Sequence, residues 1–130
     1  MISQRAVFIT GAIFNLAVGF GLLFLFPLMQ PYLGVVPVPP ELKFLVDIVG
    51  MFVCAFGVAY WLLAIDFPRY RPFAIFGASC KLLVVMIIAL HFFAGQVGWQ
   101  LLALAMMELV YAILFILILR GSRAIVLRAA

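Results

Sequence analysis

Five side chains able to carry charge or hydrogen bonds stand inside sequence too apolar to hydrate them: Asn15, Asp47, Lys81, His91 and Glu108. An amine and a carboxylate held together out of water can exchange a proton or bind the head of a ligand. The same pair can also serve only to fix helix register, with no transport or chemistry attached. A carboxylate beside an imidazole selects its tautomer or holds it protonated. Which of these chemistries is open to the chain depends on the depth and direction of each residue, and so on the elements that carry them.

Those elements are membrane spans. The chain has 130 residues, 70% of them hydrophobic and 9% charged, too few polar side chains to clothe a water-soluble globule. Apolar stretches run from about Ala6 to Met29, Phe44 to Ile65, Phe73 to Ala94 and Leu101 to Leu119. Each is close to the roughly 20 residues that a helix needs to cross hydrocarbon. The alternation of a transmembrane β-barrel strand is absent. The expected fold is therefore all-α, an integral membrane four-helix bundle in one domain, residues 1–130. The first stretch is longer than a signal-peptide core and lacks a small-x-small cleavage site, so it reads as a retained helix.

The net charge of +4 sits at helix ends, not on a soluble face, which argues for topology signals and against nucleic acid. Arg5, Arg69, Arg71, Arg120, Arg123 and Arg128 fall at the N-terminus, the second loop and the C-terminus, against Lys43 alone in the first loop. The positive-inside rule then places both termini in the cytoplasm. Pro31 to Pro40, with four prolines, reads as a semi-rigid extracytoplasmic loop. Trp61, Tyr60, Trp99 and Tyr32 read as interface anchors, and Asp66 as a solvated loop residue.

The halves of the chain resemble one another. Gly11-Ala12-Ile13-Phe14-Asn15-Leu16 matches Gly77-Ala78-Ser79-Cys80-Lys81-Leu82 as GAxx(N/K)L at an offset of 66 residues, which also pairs Arg5 with Arg71. Asp47-Ile48-Val49 and Glu108-Leu109-Val110 match more loosely at an offset of 61. Two tandem hairpins related by a pseudo-two-fold axis along the membrane normal would produce this pattern. So would two hydrophobic hairpins alike only in composition.

At a rise of about 1.5 Å per residue, Asn15, Lys81 and Glu108 lie near mid-membrane, with Asp47 and His91 roughly 10 Å further out. An unpaired charge at the centre is costly, so Asn15, Lys81 and Glu108 are expected to converge as an intramembrane polar cluster. Asp47 and His91 are expected to form an outer polar pair. Gly11, Asn15 and Gly19, Gly77 and Lys81, and Gly50, Cys54 and Gly57 make small faces that permit close helix approach.

Cys54 and Cys80 lack CxxC spacing and read as packing residues, and a lone histidine supplies neither a multi-His metal site nor bis-His haem. Phosphate loops, nucleophile elbows and HExxH motifs are absent. No catalytic residue, metal or cofactor is expected, beyond a bound lipid or quinone. Such a lipophilic ligand would be lined by Phe14, Phe52 and Tyr111, although ordinary packing would use the same aromatics.

Length, four spans and the GAxxKL segment with its intramembrane Lys81 resemble the DoxX-like group of small bacterial membrane proteins. That group carries its glycine-lysine signature on the first helix, where this chain has Asn15. The resemblance implies a bacterial inner-membrane protein, in some members a partner of quinone-linked redox systems. The expected function is a non-catalytic membrane subunit or homo-oligomer, with the bilayer and other membrane subunits or a second copy as partners. The alternatives are a small-molecule or proton-coupled carrier and a quinone- or lipid-binding protein.

Overall fold

A computed structural model describes residues 3–129, with side chains described through residue 122. Among the described residues, four helices are long and apolar enough to cross a membrane. They are α1 (Gln4–Phe24), α2 (Lys43–Ile65), α3 (Phe67–Phe93) and α4 (Trp99–Ala129). Together they pack as an all-α bundle.

Several helix bounds differ from the sequence reading, the largest difference at the end of α4, which runs on to Ala129 rather than stopping at Leu119. α1 stops at Phe24, because Leu25 leaves the helical region at φ −119° and ψ 12° and a single turn, Phe26–Met29, follows in a new direction with Pro27 near its start. Met29 then folds back so that its sulfur packs on Gly21. α3 begins at Phe67 rather than Phe73, since Asp66 is the residue before its first turn and its carboxylate accepts the Arg69 N–H at 3.2 Å. Asp66 is thus a helix cap followed by Pro68 in the first turn, not merely a solvated loop residue. α4 starts at Trp99, two residues before Leu101.

Helix α1 packs most extensively on α2, and α3 on α4, so the chain forms two antiparallel hairpins in tandem. The hairpins meet chiefly through α2 against α3, with a lighter approach of α1 to α4. In cross-section the helices run in chain order, and α1 lies diagonal to α3. Even numbers of crossings bring both termini to one end of the bundle, termed here the terminal end.

Within the first hairpin, glycine permits the close approach. A side chain on Gly19 would meet the backbone of Gly50 and Cys54, and one on Gly57 would meet Leu16 and the Ala12 carbonyl. Helices in lipid gain nothing from hiding apolar surface, so van der Waals fit of this kind supplies the association. The buried core lies towards the terminal end: Val7, Phe8, Ala12, Tyr60, Leu63, Ala74, Ala78 and Phe115. Its aromatic rings interlock, Phe8 on Phe115 at 4.8 Å between centroids and Tyr60 edge-on to Phe115 at 4.9 Å.

At the opposite, loop end the Gly98 N–H donates to the Gly34 carbonyl at 2.6 Å, tying the proline-rich loop to the last one. Gly34 needs its left-handed φ of +65°, and a side chain there would also meet Gly98 and Gln100. Gly95 has a similar φ of +70° with open space around it. Gly95→Ala is therefore expected to cost only the backbone strain, about 1 kcal/mol, and Gly34→Ala that strain plus the clash, about 2–3 kcal/mol. Parallel thermal unfolding in detergent measures the difference; equal losses would mean that the loop tie contributes nothing.

Candidate functional site

The polar group at mid-bundle is built across the diagonal. Lys81 on α3 reaches inward with only 4% of its side chain exposed, donates to Glu108 of α4 as an ion pair, and donates to Asn15 Oδ1 of α1 at 3.1 Å. The Asn15 amide points on to the Val53 carbonyl of α2 at 3.5 Å, so all four helices contribute. Two rings close over the ammonium: Lys81 Nζ lies 5.1 Å from the Tyr60 centroid and 5.7 Å from that of Tyr111. A desolvated cation gains from two such faces. No buried side-chain nitrogen or oxygen among the described residues lacks a partner.

One side of this group is open. A cleft of about 280 Å³ leads to it, walled by Val49, Phe52, Val53, Phe56 and Tyr60 of α2 and by Cys80 and Val84 of α3, with Asn15, Lys81 and Glu108 as its floor. Below the cleft α2 and α3 are held together where Tyr60 fills the space left by Gly77 and Phe56 stacks on Phe76 at 5.8 Å. Above those contacts the helices leave the gap. Val49 and Phe52 are about half exposed at the mouth, so it opens sideways, towards the bilayer.

Asn15, Lys81 and Glu108 therefore lie together, whereas Asp47 and His91 do not. Asp47 pairs with Lys43, four residues earlier on the first turns of α2. The Lys43 ammonium also comes within 3.5 Å of the Leu23 carbonyl, one of the orphan acceptors at the end of α1. The His91 ring, exposed near the end of α3, meets Gln96 in the following loop. A local partner on the same helix or the next turn wins because the backbone already holds it within reach, with no gap between helices to close.

Of the three aromatics read as ligand lining, Phe52 borders the cleft. Phe14 and Tyr111 instead stack on each other at 5.7 Å, and Tyr111 packs over Gly11. Tyr60 is no interface anchor: it is 1% exposed, between Gly77, Phe115 and the Lys81 ammonium. A signal for it existed, since Val49, Val53, Phe56 and Tyr60 share one helical face by their spacing of four, three and four residues. Among the described residues, no three His, Cys, Asp or Glu side chains come together.

Fold and site together define a membrane-embedded helical protein with a buried ion pair beside a lateral cleft. Comparison with known protein families, curated proteins and solved structures finds no match to the chain.

Proposed function

We propose that this is a non-catalytic binding protein of the membrane, which takes the polar head of a lipophilic molecule between α2 and α3 onto a floor of Asn15, Lys81 and Glu108. The cleft is the observation that carries this reading. A pair needed only for register calls for no space beside it, since neighbouring side chains could pack against it at interior density. Glu108 instead keeps 17% of its side chain accessible, at the foot of about 280 Å³ of apolar-walled space. Carriage across the bilayer is less well supported, as the interlocked rings of Phe8, Tyr60 and Phe115 lie between the pair and the terminal end.

The setting belongs to the same proposal: a bacterial inner membrane with both termini cytoplasmic, supported by the arginines at the terminal end and by the DoxX-like layout. Duplication of one hairpin is the origin that best explains the GAxx(N/K)L match. The protein acts as a subunit or self-associates, presenting its bound molecule to membrane partners, including redox complexes.

Val84→Trp narrows the cleft while leaving the polar floor intact, and Ile113→Trp, on an exposed part of α4 outside it, is the control. Native mass spectrometry after mild detergent extraction is expected to find a retained lipophilic molecule on the wild type and on Ile113→Trp, with occupancy about tenfold lower on Val84→Trp. A wild type with no retained molecule, or equal occupancy of the two variants, rules the proposal out.

A further inference from the structure

The hydrogen-bonding capacity left unused on the cleft floor identifies the head that fits it. Glu108 gives Oε2 to Lys81, and Oε1 has no protein partner. Since no buried side-chain nitrogen or oxygen among the described residues is unsatisfied, Oε1 is accessible, and the space that Glu108 borders is the cleft. The spare group is thus an acceptor.

The cleft also has a donor in the Tyr60 hydroxyl on its wall, which has no hydrogen-bond partner among the described residues, but that residue is only 1% exposed. Two of the three Lys81 N–H bonds go to Asn15 and Glu108, and the ammonium is roofed by Tyr60 and Tyr111, with 4% of its side chain exposed. Asn15 is 5% exposed, its oxygen taken by Lys81 and its amide turned to Val53. An anionic head would sit against the Glu108 carboxylate, where low dielectric magnifies repulsion. A cationic head would sit beside the ammonium, where low dielectric magnifies repulsion. A neutral head with a proton to give avoids both penalties.

We infer that the cleft selects a neutral amphiphile bearing a free hydroxyl, such as a diacylglycerol or long-chain alcohol, which donates to Glu108 Oε1. This rests on the ligand-binding reading above and narrows it. The tail has somewhere to go: Phe52 and Phe56 also line a second groove of about 270 Å³, with Ala55 and Ala59 of α2 and Phe73 and Phe76 of α3. Head cleft and tail groove share those two rings, so a chain leaves the floor sideways and runs along the lipid face towards the terminal end.

The test uses photoactivatable diazirine analogues of hexadecanol, methyl hexadecyl ether, hexadecanoate and hexadecylamine, each offered to the full-length protein in phosphatidylcholine nanodiscs. Crosslinks are mapped to peptides holding the cleft walls. Hexadecanol is expected to label those peptides at concentrations about tenfold below the ether, with acid and amine no better than the ether. The double variant Lys81→Met/Glu108→Leu, which removes acceptor and charge together, should still be labelled by the ether but prefer the alcohol less than about twofold. Equal labelling by alcohol and ether in the wild type, or a preference for acid or amine, overturns the hydroxyl inference while leaving the binding site standing. Failure of all four probes to reach the cleft overturns both.

Discussion

Glu108→Gln is expected to cost the bundle about 3–5 kcal/mol of stability, and Lys81→Met less, with the double variant Lys81→Met/Glu108→Leu recovering most of the loss. Removing the carboxylate strands an ammonium that is 4% exposed and has only Asn15 and two aromatic faces left to it. Removing the amine strands a carboxylate that is less enclosed, 17% exposed where it borders the cleft. Replacing both groups removes the buried charge altogether and leaves Asn15 with its Val53 contact. Neutral hydrogen bonds between membrane helices average well under 1 kcal/mol, so a coupling of about 2 kcal/mol or more marks the pair as ionic. Unfolding in mixed micelles, followed through Trp61 and Trp99 fluorescence, provides the double-mutant cycle. Additive single effects, each below about 0.5 kcal/mol, would mean that the two groups do not depend on one another.

Gly19→Ala is expected to cost about 2–3 kcal/mol, although it adds a single methyl group and alanine favours helix. The added carbon would lie 2.9 Å from both the Cys54 nitrogen and the Gly50 oxygen. Backbone atoms cannot rotate aside, so the α1–α2 hairpin must separate along its most extensive interface. Gly121→Ala, in open space on α4, serves as the reference and should be neutral or slightly stabilising. A Gly19→Ala variant as stable as Gly121→Ala would show that these helices do not approach as closely as the geometry requires. Thermal unfolding of the two variants measures the difference.

Much of the positioning could be read before any coordinate. Lys81 and Glu108 are the two charges furthest from any water, and a bilayer leaves them few alternatives to each other. Gly11, Gly19, Gly50, Gly57 and Gly77 mark faces on which helices can close, and at all of them but Gly11, where Tyr111 lies at ordinary contact distance, a neighbour fills the space a side chain would take. Near the membrane surface the same reasoning lost its force. Asp47 and His91 have water and neighbouring turns to satisfy them, so depth matching did not determine their partners. For Tyr60, proximity to a helix end and an aromatic ring with a hydroxyl fit both an interface anchor and a core residue; its place on the Val49, Val53 and Phe56 face and the Gly77 that receives it on the facing helix distinguish them.

Span number, the all-α class and the meeting of amine and carboxylate belong to the sequence by itself, because hydrocarbon forces backbone hydrogen bonds inside each segment and forbids lone charges. The cleft belongs to the tertiary structure alone. It exists because Asp66 joins α2 to α3 by one residue, Tyr60 and Phe56 pin the two helices against Gly77 and Phe76, and beyond those rings the side chains of Val49, Val53 and Val84 are too short to fill the gap. A void of that kind is a difference between the spacing of two helices and the volumes set between them. Residue types supply the volumes, and only the folded bundle supplies the spacing.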